Sequence, residues 1–192
     1  NSEVGADAVL SRLREGADRL ADYGIRADLV PRRASGVEAI LRYEGPLFDG
    51  TPQSRGSVRI DVSLRGERVE VEEVFVPRTP YADVPQLVVR ALTRAHRLVE
   101  KVRAVLVRGT ARYLFDVHFL LERGATCGRA LLDEKMRLYR RRYSQRALED
   151  GMRKAARGWA RDLEPLLGQV PPLRGIEEGV RSGLRRVAGT GA

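Results

Sequence analysis

The chain is poor in cysteine, histidine, lysine and aromatic side chains, and each shortage excludes something. A single cysteine, Cys127, rules out an internal disulfide framework and a cysteine-rich zinc site, and it suits a reducing compartment. His96 and His118, the two histidines, have no third ligand at metal spacing, and Cys127 stands in neither a CxxC pair nor a Cys-His arrangement. None of the three is assigned a catalytic role. Every apolar stretch is short and interrupted by charge, so no helix able to cross a bilayer is expected. The start, at Asn1, does not resemble a signal peptide, and the reading is a cytoplasmic protein. With 43% apolar residues in 192, one core of ordinary domain size can be buried.

What the chain has in excess is arginine. Lys101, Lys135 and Lys154 are the only lysines among 35 basic residues, and the formal net charge is +9. Residues 1–100 carry a net charge of −1 and residues 101–192 a net charge of +10, so the whole excess sits in the second half. A basic half points to an anionic partner, and the planar guanidinium fork suits phosphate. Codon composition that favours arginine is the competing account of the bias.

Periodicity divides the chain into an α+β part and a helical part. Leu10, Leu13, Ala17 and Leu20 recur at spacings of three and four, which predicts an amphipathic helix over 5–22 stopped by Gly24. Residues 37–43 read as a strand. Residues 57–64 alternate strictly, with Val58, Ile60, Val62 and Leu64 on one face, and a turn at 65–67 would join them to a strand over 69–76 as an antiparallel hairpin. Pro77, Pro80 and Pro85 mark an irregular crossing before a short strand at 87–92. Thr93 then caps a helix ending near Gly109, and residues 111–122, apolar nearly all round, form a buried helix. Helices over 131–143, 145–166 and 176–187 follow, with a frayed tail at 188–192. The expected organisation is an α+β core over 1–125, a basic helical region over 126–187, and a disordered tail over 188–192.

Four groups of residues could carry chemistry. Asp61, on the polar face of its strand, is either a solvated charge or an oxygen ligand for a divalent metal. Asp116 interrupts an apolar helix and needs a partner: Arg112 one turn earlier, or a catalytic lysine, base or metal-bound water. Lys101, Arg108 and Arg112 would fall near one line on a continuous helix, a stripe that suits a nucleoside triphosphate or a solvated edge, though Gly109 and Thr110 could fold the two segments into a hairpin. Arg137, Arg140, Arg141 and Arg142, beside Tyr139 and Tyr143, interleave cations with rings in a way that suits RNA phosphates and stacked bases, or merely a solvated helix face. Trp159 and Leu163, one turn apart, read as packing residues.

The segment from Glu100-Lys101 through Ala104, Arg108 and Arg112 to Asp116 resembles the AbiEii/AbiGii-type nucleotidyltransferase toxin family, which includes the MenT-type toxins, with its pattern EKxxAxxxRxxxRDxxD. Arg59-Ile60-Asp61-Val62-Ser63 resembles the family's central strand motif, and 159–167 and 175–184 its helical tail. The resemblance implies a nucleotidyltransferase-like mixed sheet packed with helices and followed by a helical bundle. It implies use of an NTP with Mg2+, transfer to an RNA acceptor such as the tRNA 3′ end, and a cognate antitoxin. On the same ground Lys101 would contact the triphosphate, Asp116 would be the catalytic carboxylate, and Asp61 would be the third acid, near the metals. Two departures stand out. Tyr113 replaces the aspartate that follows the family's arginine, and the family's Gly-Gly-Ser/Thr loop and Asp-x-Asp pair do not precede the first helix. The implied expectation is an upstream segment and an inactive chain as given. A binding module for nucleic acid or protein on a degenerate fold is the alternative.

Overall fold

A computed structural model describes residues 5–33, 36–64, 67, 69–75 and 86–189. Its contacts divide the chain into two units, Asn1–Arg68 and Val69–Ala192. Residue 125 falls inside the second unit, in the loop after its second helix.

The first unit opens with α1 (Ala6–Asp18), which tightens into a 3-10 turn over Arg19–Tyr23 and stops at Gly24 in a left-handed conformation (φ 71°). The expected stop residue does its work through φ, which glycine adopts without a Cβ penalty. Then come β1 (Ala27–Arg33), β2 (Val37–Tyr43) and β3 (Gly56–Val62), an antiparallel sheet in the order β1-β2-β3. Sequence reading missed β1, whose Pro31 argues against a strand; as an edge strand it can spare the N–H that proline lacks. Ala17 of α1 and Val37 and Ala39 of β2 are buried, and the outer strand β3 keeps only Gly56, Ile60 and Val62 half-covered.

The second unit holds β4 (Val71–Phe75) and β5 (Val88–Leu92), paired antiparallel with Val74 opposite Val89. The expected 57–64 to 69–76 hairpin does not form: β3 pairs with β2 and β4 with β5. Alternation along β3 marks a sheet face, but it does not choose the neighbour. Of the turn and the proline-marked crossing, Arg65, Gly66 and 76–85 lie outside the described residues.

Six helices follow: α2 (Arg94–Arg108), α3 (Ala111–Glu122), α4 (Arg129–Leu138), α5 (Gln145–Ala156), α6 (Trp159–Leu167) and α7 (Leu173–Gly189). Thr93 Oγ1 accepts from His96 N–H at the start of α2, and Gly109 (φ 61°) ends it, as the sequence predicts. The expected 131–143 helix stops at Leu138, and the expected 145–166 helix is two, broken at Arg157 and Gly158. Ala188 and Gly189 complete α7, while 190–192 lie outside the described residues.

The main core is helical. Leu98, Val102 and Val105 of α2 meet Leu114 and Val117 of α3, Leu132 and Met136 of α4, Leu148 and Met152 of α5, and Val180 and Leu184 of α7. Full burial of each such side chain contributes about 1.5–3 kcal/mol. Gly151 lets α5 approach α2: a Cβ there would lie 2.7 Å from the Val105 carbonyl oxygen. Gly179 and Gly183 similarly admit His118 and Leu121 of α3 against α7. The expected α+β fold class stands, with a helix and antiparallel sheets first and packed helices after.

Candidate functional site

The break at Gly109 turns what would have been a cationic stripe into a two-helix site. Because α2 and α3 fold back on each other, Lys101 and Asp116 meet across them, with Lys101 Nζ 2.7 Å from Asp116 Oδ2. Their side chains are 37% and 29% exposed, so the pair is partly shielded yet reachable. Of the partners left open to Asp116 in the sequence, Arg112 or a lysine, base or metal-bound water, the structure pairs it with a lysine.

Tyr113 organises the remaining cations. Its ring centroid lies 5.5 Å from Lys101 Nζ, 5.7 Å from Arg108 Cζ and 5.4 Å from Arg112 Cζ, within cation-π range of all three. Arg108 Nη1 donates to the Tyr113 hydroxyl at 2.7 Å. Burial pushes the Tyr113 phenol up, but hydrogen bonding and charge from Arg112 and Arg108 outweigh it and hold the phenol below the usual tyrosine range. Thus Lys101, Arg108, Arg112 and Asp116 are brought together around the very residue that departs from the family pattern.

Sequence reasoning missed the support beneath this site. Glu100 takes Arg103 at 3.1 Å and also pairs with the ammonium of Lys135 on α4, a lysine only 6% exposed. Breaking such a pair would leave a buried charge uncompensated. The available signal was the placement of Lys135 between Leu132 and Met136, on the buried face of α4.

Asp61 belongs to the first unit. Its side chain is 60% exposed, it lies 3.4 Å from Arg59 Nε, and it stands opposite Glu38 in the β2–β3 register. Arg59 also reaches Glu38 at 3.3 Å, which relieves the repulsion expected between two acids facing each other.

Around the end of α4, Arg137, Arg140, Arg141 and Arg142 line a cleft of about 600 Å³ whose apolar walls are Leu106, Met136 and Ala147. Among the described residues none of these four arginines is ion-paired. Arg140 has φ 53°, a left-handed conformation that costs an L-residue roughly 1–2 kcal/mol. The neighbouring rings are already engaged: Arg103 lies over Tyr139 at 4.2 Å, and Tyr143 is buried with Arg129 at 5.4 Å. Of the two interleaved rings, Tyr143 packs inside the protein and Tyr139 stays half-buried.

His96 Nδ1 sits 3.1 Å from Thr93 Oγ1 at the α2 cap, and burial pushes the Cys127 thiol up to about 11. Trp159 Nε1 donates to the Pro171 carbonyl at 2.8 Å, a packing role as read from spacing.

A family model described as nucleotidyl transferase AbiEii toxin, type IV TA system, matches residues 3–185. The chain belongs to the AbiEii nucleotidyltransferase toxin family. No curated protein and no solved structure matches it. Membership implies a nucleotidyltransferase of a toxin-antitoxin system. No helix among the described residues of this AbiEii chain is long and apolar enough to cross a membrane.

The donors of this AbiEii chain fit Mg2+ only in a limited way. Among the described residues no three His, Cys, Asp or Glu side chains gather as a cage. Mg2+ commonly takes one or two carboxylates together with substrate phosphates, and the exposed Asp61 carboxylate suits that single-ligand role.

Proposed function

We propose that the AbiEii fold of this chain serves transfer of a nucleotidyl group from an NTP to an RNA acceptor, with the α2–α3 cluster as the triphosphate site. The observation that carries the reading is the Lys101–Asp116 pair at 2.7 Å with Arg108 and Arg112 gathered around Tyr113. In the reaction an acceptor hydroxyl attacks the α-phosphorus, a new P–O bond forms, and the bond to pyrophosphate breaks. The barrier falls when charge on the transferring and leaving oxygens is neutralised in place. Lys101 supplies that neutralisation, and Arg108 and Arg112 hold the outer phosphates. Before substrate arrives, Asp116 keeps the Lys101 ammonium in position; once Lys101 turns to phosphate, the Asp116 carboxylate is free to face the acceptor and take its proton. Mg2+, when bound, would neutralise phosphate charge, with Asp61 as the carboxylate we assign to it. Arg137, Arg140, Arg141 and Arg142 engage the RNA.

The setting that supplies NTP and RNA is the cytoplasm, and a cognate antitoxin is the partner that the toxin-antitoxin family suggests. Incorporation of labelled NTP into bulk tRNA tests the reading, with the tRNA 3′ end as the first acceptor to map. Lys101→Ala should lower incorporation by about 100–1,000-fold. Unchanged incorporation in that variant would remove the triphosphate role.

A further inference from the structure

We infer that the cleft at the end of α4 is a site for the phosphodiester backbone of RNA, blind to base identity, and that Arg140 holds its left-handed backbone to serve it. The inference rests on the proposed RNA acceptor and adds how that RNA is held.

Three chain reversals carry the argument, because the same pair of hydrogen bonds closes each. At Gly24, Gly24 N–H donates to Ala21 O and Ile25 N–H to Leu20 O; at Gly124, Gly124 N–H donates to Leu121 O and Ala125 N–H to Leu120 O. At Arg140, Arg140 N–H donates to Arg137 O and Arg141 N–H to Met136 O. The motif wants glycine at the left-handed position, and twice it has it, with φ 71° and 74°. The third time it carries an arginine at φ 53°. Geometry that glycine would satisfy without strain is here occupied by a long cation lining the cleft.

Charge carries the second half of the argument. Four guanidinium groups around one cleft, without a carboxylate partner among the described residues, repel one another until an anion arrives. Some other arginines of this unit are matched, as Arg97 is with Glu72, Arg129 with Asp133, and Arg181 with Glu149, while among the described residues Arg146, Arg157 and Arg185 stand singly on the surface; the four at the end of α4 differ in sharing one cleft. A polyanion with regularly spaced phosphates answers several forks at once. Base stacking has less to work with, since Tyr139 is half-buried with Arg103 against its ring and Tyr143 is buried.

The test is fluorescence polarisation with two labelled RNA duplexes of equal length and unrelated sequence, over a salt series, alongside thermal melting. Arg140→Gly should raise Tm by about 2–4 °C. It should weaken both duplexes equally, several-fold, and make the salt slope shallower by about 1. Unchanged affinity, or loss for one sequence only, would overturn the inference. So would tighter binding of a polyglutamate peptide than of RNA at equal charge, which would assign the cleft to an acidic protein. Should Arg140→Gly disturb folding, the Arg141→Ser/Arg142→Ser double variant, on ordinary backbone, must weaken both duplexes equally or the inference fails. Lys101→Ala separates the two claims. Lost incorporation with normal RNA binding, beside an Arg140→Gly protein that still binds, overturns the cleft alone; full incorporation in Lys101→Ala overturns the triphosphate site alone.

Discussion

Two clusters of cations lie in the helical unit, and they differ in what holds them. Around Tyr113 the charges are organised before any ligand arrives: Lys101 by Asp116, Arg108 by the phenol oxygen, and all three cations within cation-π range of one ring. At the end of α4 the arginines have no carboxylate partner among the described residues, and one of them sits on strained backbone. Preorganised groups suit a reacting centre, where displacements of an ångström cost rate. Loose, like-charged groups suit an extended polyanion, whose contacts are many, interchangeable and sensitive to salt. On this contrast we propose small-molecule chemistry for the first cluster and backbone binding for the second.

The sharpest break of this contrast is Asp116→Asn. The amide keeps the size of the side chain but neither anchors Lys101 as an ion pair nor takes a proton. Incorporation of labelled NTP should fall by more than about 100-fold. RNA affinity and its salt slope, measured on the same protein, should stay where they are. A parallel loss of RNA binding would mean that the two clusters act as one site.

A milder probe is Tyr113→Phe, which keeps the ring that faces the three cations and removes only the oxygen that accepts from Arg108. Losing one such bond at a partly exposed site weakens NTP binding by about 1 kcal/mol, roughly a five-fold rise in KM, with kcat retained. The pH profile separates this from a structural effect. The Tyr113 phenol is held below the usual tyrosine range, so in the wild type a negative charge should develop among the cations at lower pH than for an ordinary tyrosine and repel the triphosphate. That early rise in KM should be missing in Tyr113→Phe.

Local signals in the sequence were read well, and pairing between distant segments was not. Thr93 and Gly109 bound α2 as expected because capping is decided within a few residues. Asp116 announced its need for a partner because a charge in an apolar helix must be compensated. Which partner it takes depends on Gly109 reversing the chain, and the sequence left hairpin and stripe both open. The β3–β4 expectation failed for a related reason: alternation describes one face, whereas strand order depends on β1 and β2, and Pro31 concealed β1. The arginine run was visible, but the left-handed φ of Arg140 was not, since glycine is the usual sign of that conformation. Asp61 was legible as an exposed charge on a strand, yet its ion pair with Arg59, which also reaches Glu38, comes from cross-strand register and not from spacing.

The smallest expected effect comes from an arginine of the opposite kind. Arg181 of α7 meets both carboxylate oxygens of Glu149 on α5 at 2.9 Å, so its fork is already filled. Those hydrogen bonds hold the Glu149 carboxyl below its usual range despite the opposing effect of burial. A carboxyl depressed in the folded state contributes stability above its unfolded value, and that contribution is lost as pH falls through the folded value. Arg181→Gln should therefore cost about 0.5–1 kcal/mol near pH 7, a fall in Tm of a few degrees, and the deficit should close as the melt is repeated at about pH 3. RNA affinity should not change, because the charge removed was never available to a phosphate. Arg140→Gly is expected to do the reverse on both measurements, gaining stability and losing RNA. If Arg181→Gln weakened RNA binding as much as Arg140→Gly does, ion pairing would not distinguish the arginines that bind RNA from those that hold helices together.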